Sequence, residues 1–132
     1  MLENFFDVRK KVFVEEQGVH LQNEIDQYEY NSIHIVGYID KNSPFATARI
    51  RSINNYTGKV ERLAVLKRYR GLNYGQNLMK TIEIITREND YNELTMHAQV
   101  QAQDFYSKLG YTPHSNYFFE ENIKHIIMKK FL

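Results

Sequence analysis

The sequence has no cysteine, no tryptophan, two prolines and six glycines. Without cysteine there can be no disulfide, thiol nucleophile or thiolate-ligated metal, an inventory that fits a reducing compartment. No run of about 18 apolar residues is present to span a membrane. The opening MLENFFDVRKKVF lacks the long apolar segment of a secretory signal. The cytoplasm is therefore the expected address, with no membrane partner. Charge of one sign is lacking too: 17 Lys and Arg stand against 16 Asp and Glu. They are spread along the chain, without the basic stripe of a nucleic-acid binder, so no nucleic-acid partner is expected. There is no internal repeat, low-complexity tract or linker. What remains is 132 residues, 42% hydrophobic, with ten Tyr and eight Phe. That supports one domain over residues 1–132, its aromatics serving mainly as core and strand packing.

Periodicity orders the elements. Phe5, Val8, Val12 and Phe13 recur at helical spacing, predicting a helix from about Glu3 to Gln17 that stops at Gly18. An acidic, turn-like stretch follows, with Glu24, Asp26 and Glu29. Ser32 to Asp40 and Phe45 to Ile53 read as a hairpin, and Lys59 to Leu66 as a third strand. Leu78, Met79, Ile82 and Ile85 predict a second helix, Asn92 to His97 a strand, and Ala102 to Leu109 a short helix. Tyr111 to Phe119 and Lys124 to Phe131 read as a closing pair of strands. The order predicts an α/β sandwich on a mixed sheet with helices on its faces.

The stretch Val60 to Gly75 carries the chemistry. A strand feeds the basic loop Lys67-Arg68-Tyr69-Arg70, and the loop opens a helix. Unpaired N–H groups and the helix dipole attract an anion there. Gly71 and Gly75 let backbone approach a phosphate, and Arg70 adds charge-assisted donors. Alone, such a turn before a helix is as often only a turn. The loop does not end in the Gly-Lys-Ser/Thr of a nucleotide P-loop, and its glycines are not at dinucleotide-fingerprint spacing.

With its flanks, this segment resembles motif A of the GNAT superfamily of acyl-CoA-dependent N-acetyltransferases, R/Q-x-x-G-x-G/A after a strand ending L-x-V. Arg70 takes the first position and Gly75 the last, while Asn73 stands where a middle glycine is usual. Asn is the non-glycine residue most tolerant of left-handed backbone. Downstream, Gln99 to Tyr111 is similar to the family's N-x-x-A-x-x-F/L-Y-x-x-x-G-F/Y, with Gln99 for Asn, and Ala102, Phe105, Tyr106 and Gly110 in place. Residues Val12 to Gly18, Ile25 to Tyr28 and His125 to Lys129 look like a small bacterial ElaA-like branch. The resemblance covers nearly the whole chain. It implies a three-layer sandwich in which either the sequence starts after the usual first strand or the sheet lacks that edge strand.

The resemblance also implies acetyl-CoA as cosubstrate, with no metal, and direct transfer of its acetyl group onto a primary amine of a small molecule or peptide. Arg70, Gly71, Leu72, Asn73, Tyr74, Gly75 and Gln76 would hold the pyrophosphate, and Gln99 the pantetheine arm. Backbone of Leu63, Ala64 and Val65 would meet the carbonyl oxygen. Tyr106 would protonate or hydrogen-bond the departing thiolate. For the amine's proton, Glu61 is the first candidate, since it shares strand parity with Leu63 and Val65. Glu16, Asp26 and His34 are weaker ones. His97, His114 and His125 are scattered, with no metal-site spacing. A catalytically degenerate CoA-binding domain, acting as sensor or scaffold, stays open, as does another α/β domain whose loop holds phosphate. So does a homodimer.

Overall fold

The structure, a computed structural model, describes residues 8–9, 32–40 and 43–132. Among the described residues, seven strands form one mixed sheet. They are β1 (Ile33–Tyr38), β2 (Pro44–Ser52), β3 (Thr57–Val65), β4 (Glu93–Gln99), β5 (Thr112–Pro113), β6 (Phe118–Glu120) and β7 (Ile123–Phe131). Across the sheet they run β1-β2-β3-β4-β7-β5, with β6 also paired to β7. β3 and β4 are parallel, and the other pairs are antiparallel. The crossover between the parallel strands carries α1 (Tyr74–Glu88), and α2 (Gln103–Lys108) follows β4.

Side-chain alternation sorts residues to the two faces of the sheet. Ala46, Ala48 and Ile50 of β2, Val60 of β3 and Leu94, Met96 and Ala98 of β4 share one face and one core cluster. Against it α1 lays Leu78, Met79 and Ile82, and α2 lays Tyr106. Their spacing is that of a helical stripe, and each such burial is worth about 1.5–3 kcal/mol. Thr47 and Arg49 of β2 point to the opposite face and are also fully buried, as befits a strand covered on both sides. Helical Val8 packs there against Ala64 and Leu66. The sequence-derived sandwich with helical residues on both faces is thus the observed architecture. The rest of the predicted opening helix, the acidic stretch 24–29 and the question of a strand before them lie outside the described residues.

One predicted element differs. Tyr111 to Phe119 forms two short strands instead of one. From Pro113 to Phe118 the chain spends five steps while its partner β7 moves only from Met128 to His125. The surplus loops out, and Ser115 Oγ accepts the Ile127 N–H at 2.9 Å in place of a backbone carbonyl. A side chain has taken over one ladder bond, which periodicity does not report.

α1, the segment after α2, and β7 are tied together by a buried carboxylate. Glu83 Oε2 accepts the Tyr111 hydroxyl at 2.8 Å. Lys130 Nζ donates to both Glu83 oxygens, at 3.1 and 3.2 Å, and to the Leu109 carbonyl at 2.8 Å.

Candidate active site

The parallel ladder between β3 and β4 is short. It pairs Thr57–Val60 with Glu93–Met96 and then stops. Beyond Val60 the strands separate, so the edge of β3 from Glu61 to Val65 that faces β4 has no ladder partner among the described residues. A cavity of about 570 Å³ opens at this gap. Both faces of the sheet contribute to its wall: Tyr106 and Phe105 from the α2 side, and Glu61, His97, Glu120 and His125 from the other.

A bulge shapes the β3 wall. β2 pairs Thr47 with Ala64 and Arg49 with Glu61, so three steps on β3 oppose two on β2. Arg62 absorbs the excess with φ 53. The bulge breaks the alternation that parity assumes: Glu61 and Ala64 share a face, and the expected common face for Glu61, Leu63 and Val65 is lost. Glu61 nevertheless lines the cavity. Its carboxylate lies 3.1 Å from Arg49, 2.8 Å from Arg51 and 3.4 Å from Lys59. Burial acts to raise its pKa, but the Arg51 hydrogen bond and the charges of Arg49, Lys59 and Arg51 outweigh it and hold the carboxyl below its ordinary 4.5. The stability this ion cluster contributes is present above that ordinary value and is lost as pH falls through the depressed one. Glu61→Gln is expected to cost roughly 1–3 kcal/mol at neutral pH and to flatten the acid limb of a urea-melt stability profile. An acid limb identical to wild type would show that Glu61 is not a contributor to it.

The phosphate-loop candidates come next along the chain. Arg70 folds back so that Nε donates to the Val65 carbonyl at 2.9 Å, pinning the loop to the end of β3. Gly71 has φ +77, and nothing lies within 4 Å of where a Cβ would point. Asn73 is left-handed, φ 65 and ψ 4, immediately before α1 and with no side-chain cap. The N–H groups of Tyr74, Gly75 and Gln76 have no backbone acceptor among the described residues, and the first bond of α1 is Asn77 N–H to Asn73 O at 3.2 Å. Open donors, a helix dipole and a glycine-cleared approach are the parts of an anion seat. Because a left-handed residue other than glycine costs about 1–2 kcal/mol, less for Asn, Asn73→Gly is expected to keep or raise the melting temperature, and Asn73→Val to lower it. Calorimetry on both variants tests this, and an Asn73→Val melt equal to wild type would contradict the strain argument.

Most of the residues singled out from sequence meet in the cavity wall: Leu63, Ala64, Val65, Arg70, Gly71, Asn73, Gly75, Gln76 and Gln99, with Glu61 and Tyr106. Leu72 and Tyr74 are not part of it. Leu72 is exposed, and the Tyr74 ring packs on Phe45 and Tyr69, with centroids 5.1 and 6.0 Å away. His34 lies on β1 opposite Arg49, away from the wall, while Glu16 and Asp26 lie outside the described residues. Tyr106 is buried, and burial pushes its phenol pKa up, so the hydroxyl keeps its proton. Its hydroxyl makes no hydrogen bond among the described residues.

Lys59 and Glu120, which the sequence did not single out, and His97 and His125, which it set aside as scattered, also line the cavity. His97 Nδ1–H donates to Glu120 Oε1 at 2.5 Å. The Phe118 ring stands edge-on to His97, centroids 5.1 Å apart, and stacks on His125 at 6.0 Å. His125 Nδ1–H in turn donates to the Ile123 carbonyl at 2.6 Å. Glu120 and Ile123 pair across a two-residue turn, Glu121-Asn122, with φ 49 and 62. That is the tight hairpin turn whose twist matches the strands, and it fixes where the Glu120 carboxylate stands. The hydrogen bond from His97, outweighing partial burial and joined by the charges of His97, His125 and Lys59, holds the Glu120 carboxyl below its ordinary range. A signal was present: His97 and Gln99 share parity on one strand, so a cavity at one includes the other. Among the described residues, no group of three or more His, Asp or Glu is placed to hold a metal ion.

Comparison with known proteins agrees with this geometry. Residues 4–132 match the family described as acetyltransferase (GNAT) domain. The uncharacterized N-acetyltransferase YjcF of Bacillus subtilis is 39% identical over 130 residues, covering 98% of this chain and 91% of that one. The crystal structure of Escherichia coli ElaA is 31% identical, with TM-score 0.84 and coverage of 98% and 89%. A GNAT family acetyltransferase from Elizabethkingia anophelis, solved with acetyl-CoA bound, shares the fold at 14% identity, TM-score 0.74 and coverage of 96% and 90%. The chain is an acyltransferase of the GNAT family.

Proposed function

We propose that this chain, acting as a single domain, uses acetyl-CoA to acetylate a primary amine of a small molecule or peptide in the cytoplasm. The observation that carries the reading is the coincidence, in one cavity, of the β3–β4 gap with the open start of α1. Among the described residues no helix is long and apolar enough to cross a membrane.

Acetyl-CoA, when bound, supplies an acetyl group already activated as a thioester. The residues present suit it. The N–H groups of Tyr74, Gly75 and Gln76, with the Gly71 approach and Arg70 beside them, would hold the pyrophosphate as anion donors. The unpartnered edge of β3 at Leu63 to Val65 offers N–H donors toward the carbonyl oxygen. Gln99, at the end of β4, offers an amide to the pantetheine arm. Tyr106, protonated and buried on the α2 side, would donate a hydrogen bond to the departing sulfur. Glu61, already shared among three cations, is a poor proton acceptor. We assign it to holding β2 and β3 in register beside the bulge. The Elizabethkingia relative, solved with acetyl-CoA bound, supports the choice of cosubstrate.

The test is a panel of glucosamine, spermidine and a lysine-containing peptide with acetyl-CoA, read by free-thiol release. Because the chain has no cysteine, the thiol reagent sees no background from the enzyme. Release that depends on one of the amines supports the reading. Stabilisation by CoA without transfer to any amine would favour a binding domain, and no stabilisation at all would remove CoA from the proposal.

A further inference from the structure

The gap between β3 and β4 opens to both faces of the sheet. Tyr106 lies below the sheet with the α2 core. Above it, one step past the last parallel pair, Val60 with Met96, stand Glu61 on β3 and His97 on β4. These are the first side chains on that face where the strands part. Glu61 is saturated with cations. His97 is not: its Nδ1–H is committed to Glu120, its ring is held edge-on by Phe118, and Nε2 has no hydrogen-bond partner among the described residues. A carboxylate on Nδ1–H fixes the tautomer whose lone pair sits on Nε2, the arrangement required of a general base. The side chain is 29% exposed, enough for an acceptor to reach it from the cavity.

We propose that His97 takes the proton of the acceptor amine, with Glu120 as its positioning residue. The inference rests on the acetyl-transfer reading above. His97 Nε2 receives one proton from the amine while the nitrogen lone pair closes the new N–C bond to the acetyl carbon. The electrons of the breaking C–S bond leave on sulfur, where the Tyr106 hydroxyl donates its hydrogen bond. The products are an amide, a thiolate and an imidazolium, and the imidazolium returns its proton to solvent. Base and thiolate donor thus act from opposite faces of one gap, which keeps the imidazolium clear of the tyrosine. The charged or titratable groups that line the cavity with His97 include Glu120 on β6, His125 on β7, and Lys59, Glu61 and Arg62 on β3. The Glu120 carboxylate is the one bonded to the ring.

Three measurements decide it. Nitrogen NMR of the histidines in the intact protein is expected to show His97 protonated at Nδ1 and bare at Nε2, and Glu120→Gln is expected to change that tautomer balance. A resting Nε2–H tautomer would overturn the proposal with no acceptor needed. With the fastest amine of the panel, His97→Gln is expected to lower kcat about 100-fold, to leave CoA affinity within about two-fold, and to erase the loss of rate that acid imposes on wild type. Free imidazole is expected to restore part of the rate to His97→Ala, which a merely structural histidine would not permit. Wild-type transfer with His97→Gln equally fast, or an unchanged pH profile, overturns this assignment and leaves the acetyl-transfer reading standing. Acetylation of no amine by wild type overturns both.

Discussion

Tyr106→Phe is expected to lower turnover about 100-fold, the scale of removing one donor aimed at charge that develops only in the transition state. Acetyl-CoA affinity should stay within about two-fold, because the hydroxyl contributes little to the ground state. The structure makes this a clean substitution. The ring is fully packed against Phe105 and Tyr111, with centroids at 5.1 and 5.9 Å. The hydroxyl forms no hydrogen bond among the described residues, so phenylalanine fills the same space and strands no partner. Stability should barely change, and a stopped-flow thiol assay alongside CoA calorimetry separates the two effects. Turnover unchanged in Tyr106→Phe would remove the tyrosine from the chemistry. A parallel fall in CoA affinity would recast it as a binding residue.

The largest loss of stability is expected at Glu83, which is not part of the cavity wall. Glu83→Ala leaves the buried Tyr111 hydroxyl without its acceptor and takes two of three bonds from Lys130 Nζ. Stranding a buried donor costs about 1–3 kcal/mol. Lys130, with its side chain 28% exposed, can turn partly to water, which limits the rest. The sum is about 3 kcal/mol, or roughly 10 °C in Tm for a chain of this size. Glu83→Gln keeps an acceptor for Tyr111 and should lose only about 1 kcal/mol. If both variants melt with wild type, the network contributes nothing. If both lose equally, charge and not hydrogen bonding is what counts.

How much of this was legible in the sequence depends on the range of the interaction. The helical stripe Leu78, Met79, Ile82 and the paired strands follow from nearest-neighbour periodicity, and they are present in the fold. The loop was legible because its chemistry is contiguous: Arg70, Gly71, Asn73 and Gly75 are neighbours along the chain as well as in space. Asn73 shows the same, its left-handed backbone being written in its residue type. Parity failed at Glu61 because one extra residue at Arg62 inverts every face beyond it, and nothing local marks Arg62 as a bulge. His97 and Glu120 are 23 positions apart. Only the antiparallel return of β7 and the tight turn before it bring them together, so no spacing rule announces the pair. Ser115 replacing a carbonyl in the ladder is likewise invisible until the partner strand is in place.

The brevity of the parallel ladder has a further consequence. Among the described residues, the ladder between one half of the sheet, β1-β2-β3, and the other, β4-β7-β5, is four residue pairs long, Thr57–Val60 with Glu93–Met96, reinforced at its start by the Asn92 and Glu93 N–H groups on the Tyr56 carbonyl. The seam left open by the missing pairs is also where the proposed cosubstrate would lie. A bound molecule bridging it would stand in for the absent ladder and couple two half-sheets whose direct pairing is short. Occupancy then becomes part of the cohesion of the fold: at a hundredfold excess over Kd it adds about 2.7 kcal/mol to global stability. On the proposed reading, the supply of the acetyl donor would govern how long the protein survives proteolysis as well as how fast it works.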